Sequence, residues 1–375
     1  MLRTLNHVMA AALVGLMFVV AIPAHARTVV DVAGRAVTLP DTVERIVLGE
    51  GRLVSAIAIL DRDAPLRRVV GMMKDFELLD PDGYALWRHA FPEIERIQAV
   101  GQMAPSSFSV ERTISLKPDL AIFGLSGHGP GTEDSTAVAQ LEAAGIPVIF
   151  IDFFLDPLAN TSPSMAVLGE ALGRADEAAE FIAANDAARA RVAAKLAGIT
   201  ERPNVFLENR VGLGQDCCAS VGHGVLATII EAAGGTNMAT PLIPGRTGIV
   251  SIEYLLTNQP DIYIGSAIGS RAGNGRAAGR IVLGPRVPAD LAAESFRATL
   301  DRTGVRDLSA VANGRAYALW HHFFHSPFNV VALHLFAKWF HPDAFADLDP
   351  AETLATVMLR FQPVALHGTY WTEAP

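Results

Sequence analysis

Residues 109–119 read SVERTISLKPD and residues 251–261 read SIEYLLTNQPD. Both open Ser-x-Glu, and both place Pro-Asp seven residues beyond the glutamate, from Glu111 to Pro118 and from Glu253 to Pro260. Each then runs into an apolar stretch ending in Gly, LAIFG in one case and IYIG in the other. A serine is a good helix N-cap, and a proline disfavours helical backbone in the residue before it. Each phrase therefore predicts a short helix that stops at the proline and turns into a buried parallel strand. A repeat of about 140 residues is too long for a solenoid unit and suits two similar α/β lobes.

Outward from these phrases the alternation of strand and helix continues. RIVLG at 45–49, LRRVVG at 66–71 and IPVIFID at 146–152 are short apolar runs separated by helical stretches, the pattern of a parallel sheet flanked by helices. The pattern restarts with NVFLEN and GVLATIIEAAGG and ends with GRAYALW at 314–320 as a last strand. Between the halves lies an Ala-, Leu-, Glu- and Arg-rich segment. Ser162 as N-cap, Pro163 at the first helical position and Gly198 as stop predict one long helix over 163–198, a strut between lobes. Ser326-Pro327 predicts the start of an apolar helix to about Phe340, and the tail from Asp349 to Leu359 a closing helix.

The N-terminus predicts export. Residues 1–26 have a basic start at Arg3, an apolar stretch from Met9 to Ile22 and Ala24-His25-Ala26, a small-x-small cleavage pattern. The stretch is shorter than the roughly 18 continuous apolar residues wanted for a membrane span. Cleavage near Ala26 leaves a soluble exported chain beginning at Arg27. The 30 basic and 39 acidic residues become 29 and 39 once Arg3 is removed, a net charge of −10. With no basic stripe, nucleic acid is a poor partner. A chain this long exceeds one ordinary core, giving an N-terminal lobe at 27–162, the helix at 163–198 and a C-terminal lobe at 199–375.

With these pieces in order, the chain resembles periplasmic substrate-binding proteins of ABC importers, of the type whose lobes are joined by a helical backbone. The resemblance is carried by VERTISLKPDLAIFG, LEAAGIPVIFID, LGEALGRADEAAEFI, GVLATIIEAAGGTNMA, VSIEYLLTNQPDIYIG and LSAVANGRAYALW. It implies two Rossmann-like lobes with parallel sheets joined by one long interlobe α-helix. It implies no cofactor and no catalysis. The implied ligand is an iron chelate, a ferric siderophore first and haem or cobalamin otherwise, and the implied partner is an inner-membrane ABC permease met by a monomer. It also implies that a surface glutamate on each lobe meets permease arginines; by position in the phrase these are Glu111 and Glu253.

In doubly wound sheets ligands sit beyond the carboxyl ends of strands. The candidates there are Arg52, Lys74, His128, Arg210, His223, Arg271 and the trio His321, His322 and His325. Arginine suits the oxygens of a carboxylate, catecholate or hydroxamate chelator because it engages two at once. The three arginines have a rival reading as plain surface residues, and Trp320, Phe323 and Phe324 one as packing. Three histidines in five residues at a strand end favour function. Cys217 and Cys218 with His223 allow a second reading, a direct soft-metal site, but adjacent cysteines also pair with each other. HExxH, GxSxG and GxxxxGK[ST] are all missing from the sequence, so an enzyme would need a site of another kind.

Overall fold

A computed structural model describes residues 27–213, 217–268, 279–365 and 367–374. The expected export segment 1–26 and Arg271 lie outside the described residues. Among those described, no helix is long and apolar enough to cross a membrane.

The first half opens with a hairpin, β1 (Arg27–Val30) and β2 (Ala36–Leu39). It continues through β3 (Ile46–Leu48), α1 (Val54–Leu60), β4 (Val69–Met73), α2 (Asp75–Leu79), α3 (Pro81–Ala90) and β5 (Gln98–Gly101). Then follow α4 (Val110–Ser115), β6 (Leu120–Gly124), α5 (Ser135–Ala143) and β7 (Val148–Ile151). Strands β3 to β7 form a parallel sheet in the order β5-β4-β3-β6-β7. Helices cover both faces, so Ile46, Val47 and Leu48 are all fully buried and the strand reads as an unbroken apolar run. The winding reverses between β3 and β6. Their following loops part in opposite directions and leave a crevice, the usual ligand position in such sheets.

The connector departs from the single helix expected over 163–198. Two helices are present, α6 (Pro157–Leu172) and α7 (Ala175–Leu196). Asp156 is the better start signal, because its carboxylate accepts from Ala159 N at 3.1 Å and Pro157 occupies the first turn. Pro163 consequently falls inside α6. The break comes at Gly173, whose φ of 66° is the left-handed C-cap conformation, with Arg174 N returning to Gly169 O at 2.7 Å. Helix α7 still works as a strut: its 22 residues span about 33 Å. It packs on α1 and also on α12 (Asn329–Phe340) of the second half.

That half contains β8 (Asn204–Glu208), β9 (Ala219–Val221), α8 (Val225–Ala232), β10 (Thr236–Asn237), β11 (Thr247–Ile249), α9 (Ile252–Thr257) and β12 (Ile262–Ala267). After these come β13 (Gly284–Pro285), α10 (Ala289–Leu300), α11 (Ser309–Ala312), β14 (Ala316–Trp320), α12 (Asn329–Phe340), α13 (Pro350–Phe361), β15 (Gly368–Thr369) and β16 (Trp371–Glu373). The sheet order is β11-β9-β8-β12-β14-β16, with β8, β12 and β14 parallel and β16 antiparallel at the edge. Helix α12 starts at Asn329, later than Ser326-Pro327 suggested; the Ser326 hydroxyl instead accepts from Phe328 N at 3.3 Å.

The two repeated phrases fold alike. Ser109 Oγ accepts from Arg112 N and Ser251 Oγ from Tyr254 N, both at 3.2 Å, and the helices α4 and α9 lead into β6 and β12. The lobes share one apolar core, continuous from Ile46 and Leu48 through Met165, Leu168 and Phe181 to Val205 and Ile264. The C-terminal stretch also crosses between them: Arg62 donates to Leu359 O and Arg360 O, and Gln362 Nε2 to Ser55 O at 2.9 Å.

Candidate functional site

The carboxyl ends of the two sheets meet at a buried polar cluster. Glu50 and Arg52 follow β3, Asp75 opens α2, and His321, His322 and His325 follow β14. Arg52 is 8% exposed and reaches in four directions. Its Nε donates to Asp75 Oδ2 at 3.0 Å and its Nη2 to Glu50 Oε2 at 3.1 Å. Its Nη1 and Nη2 face Nδ1 of His322 at 3.2 Å and Nδ1 of His325 at 3.3 Å. A guanidinium only donates, so both Nδ1 atoms are acceptors and the ring protons sit on Nε2. There His322 donates to Leu79 O at 3.3 Å, and His325 lies 3.0 Å from Glu50 Oε2.

Electrostatics agree with neutral rings. Burial lowers all three histidines, and Arg52 depresses them further; Arg210 adds to the effect on His321. Burial alone would raise Glu50, but His325 and Arg52 outweigh it and hold the carboxyl at about 2. Asp75 is pushed up by burial against the pull of Arg52. Buried Asp80, which accepts from Gly83 N at 3.1 Å, is pushed up to about 7 by desolvation.

The histidine trio was expected to face a ligand from an open strand end. All three are instead buried among protein partners, His322 and His325 as acceptors for the Arg52 guanidinium. His321 Nδ1 lies 3.0 Å from Ser266 Oγ, which also accepts from Arg210 N at 2.8 Å. His325 stacks on Phe154 at 4.7 Å and on His128 at 6.1 Å between ring centroids. Phe154 is placed by the carboxylate of Asp152, which accepts from the backbone N–H of Phe154, Leu155 and Asp156 at 2.7–2.9 Å and shapes the turn from β7 into α6.

The remaining candidates fall into two groups. His128 is half-exposed, with its backbone N donating to Glu50 Oε1 at 3.1 Å and Nδ1 2.9 Å from Met103 O. Arg210 is exposed at the end of β8, and its guanidinium makes no ion pair among the described residues. Its φ of 55° is a costly conformation for a residue with a side chain. Together these two flank the 321–325 segment from opposite lobes. His223 is exposed beyond β9, whereas Lys74 pairs with Glu77 at 3.2 Å on the surface and takes no part in the cluster. Glu111 and Glu253 are exposed on α4 and α9. Cys217 and Cys218 are joined to each other, so neither offers a thiolate in this form, and His223 does not join them. Glu208, beside them, is held by Tyr263 and by two nitrogens of Arg302.

Glu50, Asp75, Phe154 and Ser266 are not among the sequence candidates, which are cationic, imidazole, thiol and a few aromatic groups but no carboxylate or hydroxyl at the strand ends. The signal for Glu50 was present: an acid two residues from an arginine at the end of a buried strand. Behind the cluster a cavity of about 60 Å³ is walled by Phe76, Trp87, Trp320 and Phe328.

Comparison with known proteins places the fold. The profile of a family described as periplasmic binding protein matches residues 85–319. The structure of the TroA-like periplasmic binding protein FepB from Veillonella parvula has 25% sequence identity and a TM-score of 0.81, covering 93% of this chain and 99% of that one. MolA of Haemophilus influenzae, bound to molybdate, shares the fold at 17% identity and TM-score 0.68, over 91% and 99% of the two chains. Helicobacter pylori CeuE with Ni(II) bound does so at 18% and 0.65, over 89% and 95%. No curated protein sequence matches the chain.

Proposed function

The chain belongs to the periplasmic binding protein family, and from that premise we propose that it captures an anionic metal chelate, a ferric siderophore, between its lobes and delivers it to the permease of an ABC importer. The observation that carries the reading is the pairing of Arg210 with His128 across the 321–325 segment. One is a guanidinium with no ion pair among the described residues, held in a left-handed backbone at the ends of β8 and β12, the other a half-exposed imidazole from the opposite lobe. A chelate's oxygens can be engaged by the first in bidentate fashion and by the second through one ring nitrogen. His223, exposed beyond β9, extends the same polar rim.

The chain performs no chemical step. Closure is limited, because the shared core and the Arg52 cluster already tie the lobes. Glu111 and Glu253 supply the docking charge. The vicinal disulfide removes the thiolates that direct soft-metal chelation needs, which favours a chelate over a bare ion. Haem is the second reading, and the aromatic stack of Phe154 on His325 is what favours it.

The test is tryptophan fluorescence of residues 27–375. Saturable one-to-one quenching by a ferric siderophore, and none by ferric ion alone, is expected. Equal binding of bare metal would overturn the reading.

A further inference from the structure

The repeated phrase assigns a physical task to nearly every residue, and one matched pair has none. Ser109 and Ser251 cap their helices. Thr113 and Leu255 are fully buried. Asp119 accepts from Glu44 N and Arg45 N at 2.9 Å ahead of β3, and Asp261 accepts from Asn204 N at 2.8 Å at the start of β8. The residue three beyond each glutamate does neither job. Ile114 is 37% exposed and Leu256 38%, large apolar side chains at the same place in the phrase. Residues three apart are neighbours on one helix face. Each lobe thus displays a carboxylate beside an aliphatic side chain, and neither Glu111 nor Glu253 has an ion-pair partner among the described residues.

A single exposed aliphatic residue needs no explanation. Two at the same spacing from the same unpaired acid, on structurally equivalent helices, do. We infer that Ile114 and Leu256 are the apolar halves of two matched docking contacts, and that the partner, a membrane permease, presents two equivalent surfaces on which an arginine adjoins an apolar hollow. The inference rests on the docking reading above and extends it. The glutamates steer and orient through charge, whereas the aliphatic residues hold the complex by a contact that salt does not screen. Repetition on both lobes matches a partner with two-fold or pseudo-two-fold symmetry.

The experiment titrates fluorescently labelled residues 27–375 onto right-side-out inner-membrane vesicles of the source bacterium, at low and high salt. Ile114→Asn and Leu256→Asn are each expected to weaken binding about fivefold at either salt, from the remaining apolar area. Together they should cost roughly twenty-five-fold. Ile114→Val with Leu256→Val should restore most of the affinity, and Glu111→Gln with Glu253→Gln should remove the salt-dependent part. Melting temperature and chelate affinity stay at wild-type values throughout. Asparagine variants that bind like wild type while the glutamine variants fail would overturn the inference and leave the docking reading standing. Normal binding by all variants would remove both. A melting temperature that falls in step with binding would make the two residues packing groups. Wild-type dimerisation abolished by the asparagine variants would make the face a self-interface, and either result overturns the inference.

Discussion

Replacing Arg52 by methionine separates a structural clamp from a ligand-binding arm. The methionine keeps an apolar stem of similar reach and removes a guanidinium with four partners at 3.0–3.3 Å. Asp75 would keep only the Gly51 N–H at 2.6 Å, and His322 Nδ1 would lose its donor. Glu50 would retain His325 and His128 N. Breaking a buried pair by removing one partner costs about 3–5 kcal/mol, because the surviving charge stays buried. At roughly 2 °C per kcal/mol for a chain of this size, the melting temperature should fall by about 6–10 °C. Adding Asp75→Asn should recover at least about 1 kcal/mol, since it removes the orphaned carboxylate. The His325 imidazole should titrate higher in the Arg52 variant, since Arg52 is one of the groups that depress it. Urea denaturation followed by circular dichroism, with histidine NMR alongside, measures all three effects. A loss below about 1 kcal/mol together with a large fall in chelate affinity would refute the clamp and return Arg52 to the ligand site.

Three further outcomes follow from the same geometry. Stability should fall as pH drops below about 6.5, because unfolding lets His321, His322, His325 and His334, a buried residue of α12 beside Ala188 O, take up protons that their folded environments disfavour; each contributes at most about 1.4 kcal/mol per pH unit. Asp80 and Asp75 work the other way, since their raised folded values give stability that is present at low pH and lost as pH rises, but two carboxyls do not cancel four imidazoles. A urea midpoint that is flat or rises from pH 7 to 5 would contradict this balance. Gly224→Ala should destabilise by more than about 1 kcal/mol, because φ is +67° there and an added Cβ would lie 2.6 Å from Leu155 O of the other lobe; wild-type stability would show that the lobes do not approach at this point. Glu111→Arg with Glu253→Arg should abolish uptake and ATPase stimulation while chelate affinity in solution is unchanged, and normal transport by the exported double variant would leave the two glutamates as helix-start charges only.

The parts of the fold legible in the sequence were those set by local rules. The strands buried on both faces declared themselves as apolar runs, and the repeated phrase declared the pairing of lobes, because Ser caps, Pro stops and strand follows in both copies. The split between α6 and α7 was less visible. Gly173 lies in LGRAD within an otherwise strong helical pattern, and a glycine there can be carried within a helix or end it; its left-handed backbone is settled by how α7 packs on both lobes. The site was read one-sidedly. Arginine and histidine at strand ends point to an anion, yet Arg52 meets its anions in Glu50 and Asp75, and their proximity depends on β3 lying beside β4. What remained open to a ligand, Arg210 and His128, could be told from Arg52 only by burial.

Native mass spectrometry of residues 27–375 with a panel of ferric siderophores, haem, cobalamin, molybdate and Ni(II) asks whether the chain carries an intact chelate between its lobes. One ferric siderophore should bind per chain and be released chemically unchanged on denaturation, with binding weakened by Arg210→Gln while stability stays within about 0.5 kcal/mol of wild type. Binding of bare ions alone, a ligand returned in altered form, or a complex indifferent to Arg210 would contradict that reading.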